Sequence, residues 1–221
     1  MTWTSAVGKY CGWLLYKIVD GLALARISPN VLTFMGLVIN TIAAVLFGAA
    51  SSDNDQAFLF RCAGWVIFGA GIFDMVDGRV ARATGQVTSF GAFFDSVIDR
   101  YSDVALFFGL LVYYARANRF FYVVLVAFVM TSSLMVSYTR ARAESLVKQC
   151  KVGFMERPER IVLVILGAWF NVMAPVLWVI AVISTLTVIH RIRNTYEQLQ
   201  PLDERSTAEQ KRALETQTVS R

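Results

Sequence analysis

The 221-residue chain is poor in the side chains that carry most soluble chemistry. It has one histidine, His190, and three cysteines, Cys11, Cys62 and Cys150. A lone histidine at the end of an apolar run, with no nucleophile and base patterned around it, argues against triad hydrolysis. Three scattered cysteines without CxxC spacing argue against a disulfide framework and against a zinc site. The N-terminus carries Lys9 and Lys17 but lacks a clean apolar run ending in a small-residue cleavage site, so no cleavable signal peptide is expected. No internal repeat is visible. There is no basic helix with base-reading residues and no aromatic stacking module, so the net charge of +5 does not point to a nucleic-acid partner.

What the chain has in excess is apolar sequence, 56% of its residues. That is the composition of a polytopic membrane protein. Crossing the hydrocarbon layer takes about 20 apolar residues per helix. Six such spans are read, at 31–50, 58–76, 91–115, 120–138, 161–172 and 176–190. The fifth is short, and a tight turn at 171–175 separates it from the sixth. Ser28 followed by Pro29 predicts a capped start for the first span. Ahead of it, residues 5–24 alternate Trp13, Leu14, Leu15 and Ile18 with Lys9, Lys17 and Asp20, the pattern of an amphipathic helix lying in the membrane interface. The expected fold class is an all-α integral membrane protein: six transmembrane helices preceded by an N-terminal amphipathic interfacial helix. Residues 1–198 form the membrane domain, and residues 199–221 form a polar, charge-mixed tail with no assigned role.

Basic residues flanking spans stay on the cytoplasmic side. With these spans, every lysine and arginine except Arg61, Arg100, Arg116 and Arg119 falls on the side of the two termini. The expected location is the cell membrane, with both termini and the 77–90 connection in the cytoplasm.

Against this background four carboxylates stand out: Asp74, Asp77, Asp95 and Asp99. One carboxylate at a helix centre in hydrocarbon costs about 2.5–3.5 kcal/mol, so four unpaired ones would cost roughly 10 kcal/mol. Asp74 and Asp77 are three apart and Asp95 and Asp99 four apart, so each pair shares a helix face. The polar stretch 79–88, with Gly85, lets the second and third spans turn back as an antiparallel pair, with their carboxylates facing one another. That is an all-oxygen cage suited to Mg²⁺ or Mn²⁺. Gly78, Ala81 and Gly91 leave room for close approach of backbone and ligand, and Arg82 can fork onto a phosphate. Metal, carboxylates and arginine together suggest phosphoryl transfer, with one carboxylate accepting the nucleophile's proton. Helix capping near water accounts for a single such aspartate but not for four interleaved with glycine and arginine. A divalent-cation carrier is the alternative of another class. Against it, the acids gather at one membrane face and no acid continues the path through other spans.

The stretch from 74 to 99 reads D-x2-D-G-x2-A-R-x8-G-x3-D-x3-D, with Asp74, Asp77, Gly78, Ala81, Arg82, Gly91, Asp95 and Asp99 at the fixed positions. It resembles the signature of the CDP-alcohol phosphotransferases, and the likeness runs from the amphipathic segment through the six spans. The resemblance implies transfer of a phosphatidyl group from CDP-diacylglycerol, or an analogous CDP-lipid, to an acceptor hydroxyl, with release of CMP. It implies Mg²⁺ or Mn²⁺, two ions, on Asp74, Asp77, Asp95 and Asp99, with Asp99 also the general base. Donor contacts are implied for Gly78, Arg82, Thr88 and Gly91, and for the turn of Ser28, Pro29, Asn30 and Val31, which equally serves to start a helix. A homodimer is a further expectation of the family.

For the acceptor, Arg140, Arg142, Arg157 and Arg160 crowd the end of the fourth and fifth spans, and Arg191 and Arg193 the end of the sixth. The positive-inside rule explains any one of them. A basic pocket for an anionic, phosphorylated polyol explains them together. The runs SYTRARAESL at 137–146 and GFMERPERIVL at 153–163 are similar to those of the inositol-phosphate-using branch of the family. That likeness implies Ser137, Arg140, Arg157 and Arg191 as holders of the acceptor phosphate, with inositol 1-phosphate as acceptor. Arg140 departs from the lysine frequent at its position, and arginine changes the geometry there while keeping the charge. Glycerol 3-phosphate, also an anionic phosphorylated alcohol, is the competing acceptor.

Overall fold

The computed structural model describes residues 28–51, 55–83, 87–147, 150 and 152–219; the side chains at 75–81, 83 and 202–219 are outside the description. The expected amphipathic segment at 5–24 therefore lies outside the described residues, as do the side chains of Asp77 and Ala81 and the surroundings of Gly78. Among the described residues six α-helices follow in order: α1 Pro29–Ala49, α2 Gln56–Ala83, α3 Ser89–Arg116, α4 Phe120–Glu144, α5 Arg157–Trp169 and α6 Met173–Val219. Among the described residues there is no strand.

Proline at N1 starts α1, with Ser28 extended ahead of it and its carbonyl accepting from the Val31 amide at 3.0 Å. The Ser28 hydroxyl makes no capping bond, so this start relies on the backbone and on proline alone. At α3 the cap is a side chain: Thr88 Oγ1 accepts from the Gly91 amide at 2.9 Å. Along α1 the buried residues Leu32, Gly36, Asn40, Ala43, Phe47 recur every three or four positions. Phe34, Val38, Ile42 and Val45 point outward on the other side. A helix with an apolar face turned outward as well as one turned inward belongs in lipid.

Among the described residues four helical segments are long and apolar enough to cross a membrane: Pro29–Ala49, Gln56–Asp74, Phe120–Glu144 and Met173–Pro201. The other two expected spans differ for physical reasons. Helix α3 has the length, 28 residues, but carries Asp95, Asp99, Arg100 and Asp103. Helix α5 has only 13 residues, about 20 Å at 1.5 Å per residue, short of the ~30 Å hydrocarbon layer. Helix α6 starts at Met173 and runs without a break past residue 198 into the polar tail.

Helix α1 is the centre of one half of the bundle. It packs against both α2 and α3, whereas α2 and α3 approach each other through side chains, Phe60 against Tyr113, rather than backbone to backbone among the described residues. The closest backbone contacts of both aspartate-bearing helices are therefore with α1 rather than with each other. Contact between α1 and α3 is backbone to backbone, since a Cβ on Gly109 would strike the Ala44 carbonyl. Phe47 of α1, Phe60 of α2 and Tyr113 of α3 then meet edge to face, with centroids 5.0 and 4.9 Å apart. Arg116 closes this end by donating to the Gly48 carbonyl at 2.7 Å. In the other half α4 packs on α6, and α5 bridges back to α2.

Candidate active site

Helix α3 carries Asp95, Asp99 and Asp103 at four-residue steps, one stripe along one face. Asp74 reaches the same region from α2, across α1. It lies against Gly36, where a Cβ would sit 3.1 Å from its Oδ1, so α1 leaves room for the carboxylate only because that position is bare.

Arg157, the first residue of α5, comes between these carboxylates. Its Nη1 pairs with Asp74 Oδ2 and lies 2.9 Å from Asp99 Oδ1, and its Nε is 3.7 Å from Asp103 Oδ1. Burial works against the charged guanidinium, but Asp74, Asp99 and Asp103 outweigh it and hold Arg157 above its ordinary range. Behind it Arg160, 1% exposed, pairs with Asp103 Oδ2. A pair this deep loses about 3–5 kcal/mol if either partner is removed, because the other is left as a buried lone charge. Asp95 lies within electrostatic reach of Asp74 and Arg157.

The strap before α5 delivers Arg157. Gly153 takes φ +100°, a conformation open to glycine, and lies against Thr187 of α6. The Met155 amide donates to Thr187 Oγ1 at 3.1 Å, and Arg191 of α6 donates to the carbonyls of Val152 at 2.9 Å and Val136 at 2.5 Å. Glu156 precedes α5 but does not cap it with its side chain. Its Oε1 instead accepts from Arg140 at 2.8 Å and Arg191 at 3.3 Å.

These contacts enclose a polar cavity of about 390 Å³. All four residues expected to hold the acceptor phosphate line it, Ser137, Arg140, Arg157 and Arg191, together with Asp99 and Asp103. Arg191 is almost fully buried and partly committed to backbone carbonyls, so it is a wall of the cavity rather than a mobile arm. A second cavity, about 460 Å³ and mainly apolar, runs from Asp74 and Arg157 along Ile67, Phe68, Ile72, Ile161 and Ile165. Arg157 lines both.

The expected donor residues form a second group. Thr88 caps α3 over Gly91, and a Cβ on Gly91 would lie 3.5 Å from Asn30 Oδ1, so Asn30, Thr88 and Gly91 come together at the starts of α1 and α3. Ser28, Pro29 and Val31 belong to the same turn. Arg82 is exposed near the end of α2.

The donor set fits a hard divalent cation in one respect: oxygens of Asp74 and Asp99, from two separate helices, already converge on one cationic group. Among the described residues no group of three His, Cys, Asp or Glu would hold a metal by itself. Arg157 takes the space between two of the four expected ligands, and the side chain of a third, Asp77, is outside the description.

Three participants escaped the sequence reading: Asp103, Glu156 and the pairing role of Arg160. Asp103 had a signal, the continuing four-residue step after Asp95 and Asp99. Glu156 had none beyond its place in an arginine-rich run.

The profile of the CDP-alcohol phosphatidyltransferase family matches residues 26–189. The phosphatidylinositol phosphate synthase of Mycobacterium tuberculosis (strain H37Rv) is 33% identical over 189 residues, which cover 81% of this chain and 84% of that one. The archaetidylinositol phosphate synthase of Pyrococcus horikoshii is 32% identical over 187 residues, 84% of this chain and 93% of that one. The crystal structure of the M. tuberculosis synthase with CDP-DAG bound superposes with a TM-score of 0.72 at 29% identity, covering 82% of this chain and 93% of that one. Its complex with manganese and citrate gives 0.71 at 31%, covering 82% and 88%.

Proposed function

The chain belongs to the CDP-alcohol phosphatidyltransferase family, and from that membership we propose that it transfers a phosphatidyl group from CDP-diacylglycerol, or an analogous CDP-lipid, to inositol 1-phosphate. It is an enzyme, a membrane-bound transferase, and the cation-carrier alternative falls with that membership. The observation that carries the acceptor is the 390 Å³ cavity, in which Ser137, Arg140, Arg157 and Arg191 share walls with Asp99. Several guanidinium groups around one polar space suit a phosphate dianion, and the volume admits a ring-sized polyol.

In this reading Asp74, Asp77, Asp95 and Asp99 hold the metal, Mg²⁺ or Mn²⁺, as two ions. When bound, the metal neutralises the pyrophosphate oxygens and the departing CMP. Ser28, Pro29, Asn30 and Val31 at the start of α1, Thr88 and Gly91 at the start of α3, and Gly78 and Arg82 of α2 cradle the CDP-lipid. The apolar cavity beside Asp74 faces the donor's lipid side. Asp99 takes the proton of the acceptor hydroxyl, whose oxygen bonds to the β-phosphorus as the phosphoanhydride bond to CMP breaks. Ser137, Arg140, Arg157 and Arg191 hold the acceptor phosphate.

The same proposal includes six spans, with α3 and α5 crossing behind their neighbours, and a cytoplasmic active site and termini. It divides the chain into a membrane domain at 1–198 and a polar tail. It also includes a homodimer, for which α3 and α4 offer small and aromatic outward residues.

An acceptor panel tests the assignment. Purified protein with labelled CDP-diacylglycerol and Mn²⁺ is offered inositol 1-phosphate, glycerol 3-phosphate or free inositol. Phosphatidylinositol phosphate forms with the first only. Turnover mainly of glycerol 3-phosphate would replace the acceptor while leaving the reaction class in place.

A further inference from the structure

Arg157 divides the polar cavity from the apolar one and belongs to both. Through Nη1 it holds Asp74 of α2 and Asp99 of α3 at once, two helices whose backbones do not approach closely among the described residues. Its Nε is buried without a hydrogen bond, and so is Oδ1 of Asp103, 3.7 Å away. The guanidinium therefore has one edge fully used, toward Asp74 and Asp99, and one edge unsatisfied, toward Asp103. Arg160 on the far oxygen of Asp103 fixes that carboxylate in place.

We propose that Arg157 is an exchangeable cation: it occupies the Asp74–Asp99 carboxylates until a divalent metal claims them, then closes onto Asp103 and turns into the polar cavity to meet the acceptor's phosphate. This rests on the functional reading above and adds an order to it. Two cations cannot share the same carboxylate oxygens without strong repulsion. Metal and Arg157 compete for Asp74 and Asp99, and by linkage whatever withdraws Arg157 tightens metal binding. By the same reciprocity, metal makes Arg157 available to a phosphate and so tightens acceptor binding.

The sign of the effect is the test. Mn²⁺ binding to purified protein, followed by the spin resonance of the free ion, tightens in Arg157→Gln on the order of tenfold. A merely supportive residue at a metal site would weaken binding when removed. Calorimetry with inositol 1-phosphate as probe shows binding strengthened by Mn²⁺ in the wild type and insensitive to Mn²⁺ in Arg157→Gln. Melting curves guard against simple misfolding: Arg157→Gln melts below wild type in EDTA and returns to it with Mn²⁺, because metal then pins α2 to α3. If that variant fails to fold, Arg157→Lys, with its charge on a simpler head, binds Mn²⁺ somewhat more tightly than wild type. Unchanged or weaker Mn²⁺ binding in either variant overturns the proposal. Failure of wild type to bind Mn²⁺ overturns it together with the functional reading, whereas a different acceptor in the panel overturns that reading alone.

Discussion

Asp99 faces two ways. Its Oδ1 lies 2.9 Å from Arg157, beside Asp74, and the same side chain lines the polar cavity. That double address suits the base role proposed for it, which asks for a carboxylate that borders the acceptor's cavity and stands beside the proposed metal ligands. Asp99→Asn keeps the shape and removes the proton acceptor. CMP release falls by about 10²–10⁴-fold while CDP-diacylglycerol is still bound; full activity in that variant would remove the base assignment. At this scale the sequence was most telling where spacing carries the message. The stripe of Asp95 and Asp99 was legible because a carboxylate every fourth residue in an apolar helix has no cheap structural explanation. Its third member, Asp103, sits at the same step but was passed over because it lies outside the motif. Glu156 was not legible at all, since an acid in an arginine-rich run reads as charge balance until the fold shows it bridging Arg140 and Arg191.

At the scale of elements, periodicity and composition placed α1, α2, α4 and α6, which are long and apolar. They misjudged neighbours. Asp74 and Asp99 were expected on neighbouring helices with their carboxylates facing; the backbones of both helices pack on α1, and what joins the carboxylates is an arginine from α5. Sequence order favours consecutive helices as partners, and nothing local in α1 announces that both will pack their backbones on it. The device that allows it is the bare surface at Gly109, where α3 meets the Ala44 backbone. Gly109→Val forces these backbones apart and costs about 1–3 kcal/mol or more by overpacking, read as a lower melting temperature in detergent. Gly69→Ala is the matched control: nothing lies within 4 Å of the added methyl, so its melting temperature stays near wild type or rises. Equal melting of Gly109→Val and wild type would show that the α1–α3 contact is not tight.

For the whole molecule, the arrangement solves a problem of phases. One substrate is anchored in the bilayer and the other is dissolved in water. The apolar cavity opens along α2 and α5, the polar cavity lies among the arginine-rich ends of α4, α5 and α6, and Arg157 with the carboxylates stands at their boundary. In the proposed orientation, the bias of lysine and arginine toward one face puts that boundary on the cytoplasmic side, where a water-soluble phosphorylated alcohol would arrive. The central claim is that CDP-lipid and acceptor are consumed together at this boundary, and only with the metal present. It is tested most directly by CMP release from protein reconstituted in vesicles containing CDP-diacylglycerol. The account predicts CMP only when divalent metal and inositol 1-phosphate are both supplied, in step with the new phospholipid, and none after EDTA. CMP release without a phosphorylated acceptor, or metal flux across the vesicle membrane with no CMP release, would contradict it.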